Sequence, residues 1–251
     1  MENNGQKQIA GAIIIVGVLI AGAILLKGGS GNSNTSPLAS TKLSPVGTED
    51  RTLGNPEAKI TLILYEDFQC PFCGLFFSDA EKNIKETYLK DGNVRLVYRD
   101  FAFLGPESVR SAEAARCAGD QGKFWDYHEY LYTHQNGENE GAFSDTNLKS
   151  FAKGLGLETA SFNKCLDESK YTKAVADSKD EASVSGVSGT PKGFLVTSKN
   201  ISSADREAIT KAATTPGRLP AVTFYAEKNI VSLDGALPWD MVKTIIDILL
   251  K

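Results

Sequence analysis

The chain has 251 residues, a net charge of −4 and no block of basic residues, so it carries no electrostatic footprint for nucleic acid. Its two histidines have no cysteine neighbour at metal-ligand spacing, and the sequence gives no metal site. Some 200 residues after the N-terminal segment suffice for one sizeable core.

Residues 1–8 read as a short cytoplasmic tail. Ile9 to Leu26 is an unbroken run of 18 apolar or small residues, closed by Lys27. At 1.5 Å per residue it reaches about 27 Å, enough for a bilayer core. The rival reading is a cleaved signal peptide, but Ile24-Leu25-Leu26-Lys27 ends the run without a small-x-small site. No cysteine follows at which a lipid could be attached. The expectation is a transmembrane anchor over 9–27. Residues 28–50, rich in Gly, Ser, Asn and Thr, read as a flexible tether. Lys7 and Lys27 flank the run on both sides, so charge does not orient it. All four cysteines follow the tether. An even count there fits an oxidising compartment, which places residues 51–251 outside the membrane.

Ile60 to Tyr65 is β-branched and apolar, a buried strand. A helix is predicted from Pro71 to about Leu89, with Pro71 in the first turn where its missing N–H costs nothing. Asp91-Gly92-Asn93 is a turn, and Val94 to Phe101 alternates as the next strand. Strand, helix, strand makes a parallel crossover unit. Residues from about 106 to 180 show helical spacing and no convincing strand, so they read as a helical insertion. Its aromatics, Phe124, Trp125, Tyr127, Tyr130 and Phe151, are expected to pack its own small core. Gly193 to Thr197 is a strand, and Ser203 to Ala213 a helix capped by Ser202 or Ser203. Two short strands, Val222 to Tyr225 and Ile230 to Leu233, precede a terminal amphipathic helix over Met241 to Leu250.

The chemistry lies at Cys70-Pro71-Phe72-Cys73, where the first strand hands over to the first helix. Cysteines three apart at a helix start lie one turn apart, within reach of a disulfide. The unsatisfied N–H groups of the helix N-terminus favour a thiolate on the first, and a thiolate is the species that attacks disulfides.

With these motifs in this order the chain resembles the DsbA-like branch of the thioredoxin superfamily, over about Asn55 to Lys251. The resemblance is carried by Tyr65-Glu66-Asp67-Phe68-Gln69-Cys70-Pro71-Phe72-Cys73, Gln121-Gly122-Lys123-Phe124-Trp125, Gly186-Val187-Ser188-Gly189-Thr190-Pro191 and Asp234-Gly235-Ala236-Leu237-Pro238. It implies an α/β thioredoxin fold with a helical insertion, here preceded by a single transmembrane helix. It implies Cys70 as the attacking thiolate, Cys73 as the resolving thiol, and Thr190-Pro191 as a cis-proline loop facing the pair. Such a protein exchanges disulfides without a cofactor. Its expected partners are unfolded or reduced exported proteins and a membrane redox partner, a quinone-linked oxidase. Introducing disulfides is the leading direction. An isomerase or reductase, or a non-enzymatic peptide-binding module with a structural CPFC clip, are the alternatives.

The sequence departs from the family pattern after Pro191. An insertion over 198–219 precedes a second proline, Pro220, which is a second candidate for the cis-proline; Pro191 is preferred for its Gly-Val-Ser-Gly-Thr-Pro motif, and Pro220 reads as a plain strand-entry proline. Phe72 offers the thiol neither charge nor a good hydrogen bond, which points to a weaker oxidant. Glu66 and Asp67 are candidates for relaying protons to Cys73, against a reading as strand-end residues, the plainer choice for Glu66. Cys117 and Cys165 both fall in the helical insertion, and a structural disulfide is the leading reading. It would close a loop of about 50 residues, stabilising by roughly 4 kcal/mol. A second redox pair and two free thiols are the other readings.

Overall fold

A computed structural model of the chain describes residues 41–217 and 219–251. The expected tail, the anchor over 9–27 and residues 28–40 of the tether lie outside the described residues. No described helix is long and apolar enough to cross a membrane.

The central crossover is β2 (Ile60–Glu66), helix α1 (residues 71–89) and β3 (Val94–Asp100). β2 and β3 pair in parallel, with Ile60 beside Val94 and Glu66 beside Asp100. On its other side β2 meets β4 (Lys192–Thr197) antiparallel, with Leu62 opposite Leu195. β6 (Ile230–Asp234) and β5 (Val222–Phe224) complete that half as a hairpin, Val222 opposite Leu233. A short β1 (Arg51–Leu53) lies antiparallel to β3, Leu53 opposite Leu96. The six strands run in the order β1-β3-β2-β4-β6-β5.

β2 shows why its run is continuously apolar: both its faces are covered. Ile60, Leu62 and Leu64 pack with Phe76, Ala80 and Ile84 of α1 and with Val242, Ile245 and Ile246. Those last three belong to the terminal helix α8 (Trp239–Leu249). Ile63 and Tyr65 point the other way, into a cluster with Val97, Phe101, Ala182 and Phe194.

α1 runs over 71–89 without a break in helical backbone, but it alternates in form. Pro71–Phe76 and Lys82–Ile84 are α-helical, while Phe77–Glu81 and Lys85–Leu89 are π-helical turns. The insertion comprises α2 (Pro106–Gly119), α3 (Phe124–Thr133), α4 (Asp145–Gly154), α5 (Thr159–Asp167) and α6 (Thr172–Val184). Its core gathers Phe124, Tyr127, Leu131, Phe162 and Leu166, and it also takes in Phe68, Phe77 and Tyr98 from the β2–α1–β3 unit. Phe124 and Tyr127 therefore pack as expected. Trp125 and Phe151 pack against the same core from its margin, and Tyr130 stands outside it, stacked on His134 and against Phe151.

Within 198–219 stands α7 (Ser203–Ala212), capped by Ser202, whose hydroxyl accepts a hydrogen bond from the Asp205 amide at 3.1 Å. Ile201, Ile209 and Ala213 join the α8 side of the core, so this segment covers the sheet.

Residues 41–50 correct the expected tether of 28–50. This stretch is docked on the domain. Arg99 supplies the physical reason, because a buried guanidinium requires partners. Its side chain is 6% exposed and contacts Asp50 at 2.7 Å. It also donates to the carbonyls of Ser44 and Pro45, at 3.0 and 3.1 Å. The Thr41 hydroxyl donates to the Ser185 carbonyl at 3.1 Å, and Leu43 and Val46 cover the apolar cluster around Val97.

Candidate active site

β2 ends at Glu66, and a tight turn delivers Cys70, whose amide donates to the Asp67 carbonyl at 3.0 Å. Cys70 is the N-cap of α1, and Pro71 begins the helix. Gly74 donates its amide to the Cys70 carbonyl at 3.1 Å, closing the first turn. Cys70 and Cys73 are both free thiols and both buried. The Thr190–Pro191 peptide is cis, and the Cys70 thiol lies 3.5 Å from the Thr190 carbonyl oxygen. The two motifs, 120 residues apart in sequence, thus meet at one point.

The two thiols are made unequal by their surroundings. A hydrogen bond from Cys73, opposed by burial and helped by Thr190 and the Cys73 and Phe72 amides, lowers the Cys70 pKa to about 6. Burial pushes Cys73 well above its ordinary value. Its hydrogen bond to Cys70 and the Glu66 charge push the same way. At neutral pH the outer cysteine is therefore a thiolate and the inner one holds its proton. Phe72 is 59% exposed and projects beside a cleft of about 420 Å³ lined by Thr190, Thr215, Ala221, Leu237 and Met241.

Glu66 and Asp67, paired as relay candidates by the sequence, have different roles. Asp67 accepts four hydrogen bonds, from the Gln69 amide, the Ser108 hydroxyl and the amides of Phe103 and Leu104, at 2.6–3.1 Å. It ties the loop before Cys70 to the loop before α2. Glu66 is fully buried on the α1 side of the sheet and accepts one bond, from Tyr132 at 3.0 Å. Burial, reinforced by the Glu81 charge, raises its pKa well above the carboxylate range.

One positioning residue escaped the sequence. Gln135, just past α3, donates its side-chain amide to the carbonyls of Phe68 and Cys70, at 2.7 and 3.1 Å. It lies across Gly74, where a Cβ would come within 2.3 Å of its Oε1. The glycine directly after Cys73 was the available signal. Cys117 and Cys165 are joined to each other and pin α2 to α5, with Cα atoms 5.9 Å apart.

A six-stranded sheet with two unequal thiols at the head of its crossover helix, facing a cis-proline loop, has the DsbA-like form of the thioredoxin fold. The chain belongs to the thioredoxin family, whose model matches residues 47–213. In structure it resembles oxidised BdbD from Bacillus subtilis, with a TM-score of 0.64 and 19% identity over 85% of this chain and 98% of that one. It also resembles α-DsbA1 from Wolbachia pipientis, with a TM-score of 0.65 and 22% identity over 83% and 94%. In sequence it is 26% identical to a probable disulfide bond formation protein D of Bacillus cereus, over 64% of this chain and 76% of that protein. It is 34% identical to an Na(+)/H(+) antiporter NhaA 1 from Salinispora arenicola over 66% of this chain. The match spans only 24% of that antiporter.

Proposed function

We propose that the chain is an extracytoplasmic thiol–disulfide oxidoreductase that introduces disulfides into exported proteins. The observation that carries this reading is the inequality of the pair: a Cys70 pKa near 6 beside a Cys73 held protonated, both against the cis Thr190–Pro191 loop. In the oxidised form a client thiolate attacks Cys70 Sγ. The Cys70–Cys73 bond breaks, and Cys73 leaves as a thiolate and takes up a proton. A second client thiolate then attacks the client sulfur of the mixed disulfide. The client leaves oxidised and Cys70 is released as a thiolate. Two electrons pass to the CPFC pair, so the chain itself needs no cofactor. Catalytic turnover requires an acceptor, a quinone-linked membrane partner. Lowering the Cys70 pKa stabilises the reduced form, which favours oxidation of clients.

Thr190 and Pro191 present backbone to the client's extended segment, and Pro71 and Phe72 form the exposed lip beside it. The apolar run Ile9–Leu26 supports anchoring by the N-terminus, with the catalytic domain on the outer side. The test is a redox equilibration of Cys70–Cys73 against glutathione. An oxidase requires a potential well above that of thioredoxin, about −270 mV. A value near it reverses the direction. Loss of thiol oxidation in Cys70→Ser, with the fold intact, separates an enzyme from a binding module.

A further inference from the structure

Beneath the thiols, on the α1 side of the sheet, three donor side chains converge in the core. Glu66 comes from the end of β2, Glu81 from the first π-helical turn of α1, and His128 from α3. All three are fully buried. His128 Nε2 lies 3.8 Å from Glu66 Oε2 and 3.8 Å from Glu81 Oε1. The nearest ligand atoms of the three all fall within 4.8 Å of one another.

Buried polar atoms are ordinarily hydrogen-bonded. Here Glu66 Oε1, Glu81 Oε2 and both ring nitrogens of His128 have no partner. The imidazole is boxed by the rings of Phe68, Phe77, Tyr98 and Tyr132, at centroid distances of 4.9–5.7 Å. None of those carbon faces offers a substitute hydrogen bond. Each carboxylate is oriented through the oxygen nearest His128, which leaves its other oxygen free. Tyr132 donates to Glu66 Oε2, and Lys85 Nζ sits 2.6 Å from Glu81 Oε1. The π-helical turn is a second, independent sign. Such turns depart from the stable α-helical pattern and recur at functional sites, and this one carries Glu81.

We propose that Glu66, Glu81 and His128 form a buried binding site for a divalent transition-metal cation, with zinc the ion that suits the donors. One imidazole and two carboxylates make a mixed nitrogen–oxygen set of the kind zinc takes. Ligands about 2.0–2.2 Å from a tetrahedral zinc lie roughly 3.4 Å apart, so the two 3.8 Å separations from His128 Nε2 need a small contraction, and the two carboxylates, within 4.8 Å of each other, must close to the same spacing. The cation's two positive charges offset the two carboxylates. The site stands whether or not the CPFC pair works as an oxidase.

The test uses the full chain carrying Cys70→Ser and Cys73→Ser, which removes thiolate ligands. It is loaded with zinc during expression or refolding and then dialysed. We expect one equivalent of retained zinc and a zinc-dependent rise in Tm. We expect zinc affinity, read by competition with a chromogenic chelator, to fall at least tenfold in Glu81→Gln and His128→Gln. Absence of both retained zinc and the Tm rise overturns the proposal without any site variant. So does unchanged affinity in a Glu81→Gln protein whose circular dichroism matches the parent.

Discussion

The Cys70 thiol touches the Thr190 carbonyl at 3.5 Å, so the outer cysteine and the cis-proline loop share one contact. On the proposed function, a client sulfur reaching Cys70 would arrive beside Thr190, and chemistry and peptide docking would be one event.

The Cys70 pKa of about 6 makes its reactivity depend on pH in a defined way. In the reduced protein, the rate of alkylation by iodoacetamide should rise with pH and reach half its plateau near pH 6. Cys73 should remain unmodified at neutral pH, because its pKa is raised by burial. The stability that the Cys70 thiolate lends the reduced form follows the same group. Its folded pKa lies below the ordinary thiol value of 9.0, so the contribution is full above pH 9 and lost as pH falls through about 6. The Tm difference between reduced wild type and Cys70→Ser should shrink across that window. A half-plateau above pH 8 would contradict the inequality of the two thiols.

Gly74 and Gln135 should behave as a coupled pair. Gly74→Ala drives a Cβ into Gln135 Oε1 and breaks the two bonds to the Phe68 and Cys70 carbonyls. The expected cost is about 1–3 kcal/mol in urea unfolding. In a Gln135→Ala background the same change should cost much less, since the clash is gone. Additive losses would show that Gln135 does not hold the Cys70 loop.

Removing the Cys117–Cys165 bond by a double change to Ala should lower stability by roughly 4 kcal/mol in the chain-entropy limit, for a separation of 48 residues. The alkylation midpoint of Cys70 should stay where it was. A shifted midpoint, or reduction of this bond alongside Cys70–Cys73 in one redox titration, would make it a second redox pair instead.

Asp50→Ala leaves the Arg99 guanidinium without its main ion pair at a site 6% exposed. Breaking a buried pair in this way costs about 3–5 kcal/mol when no other group compensates. Glu181 at 3.3 Å offsets part of that, so the lower end is expected. Limited proteolysis should then cut within residues 41–50 and should spare them in the wild type.

Local pattern made the β2–α1–β3 unit and the CPFC site legible, because strand alternation, a proline at the first helical turn and a cysteine spacing are short-range signals. The cis peptide at Thr190–Pro191 was likewise anticipated through a six-residue motif. What depends on distant partners did not show. β1 is three residues of mixed polarity that form a strand only against β3. Residues 41–50 look like linker in composition and dock because Arg99 needs them. Asp67 and Glu66 are adjacent in sequence but leave the strand end in different directions, one into a ring of amide donors and the other into the core. Glu66, Glu81 and His128 share no spacing at all, and only the fold assembles them.

The outermost strands of the sheet, β1 and β5, are each three residues long. An enzyme acting on unfolded polypeptides, as proposed here, would be surrounded by chains seeking unpaired backbone, and a long bare sheet margin would template their aggregation. Margins this short give such chains little to zip onto. If the proposed function holds, a client could be held briefly at Thr190, exchange its sulfurs and depart without recruiting the enzyme into a growing aggregate.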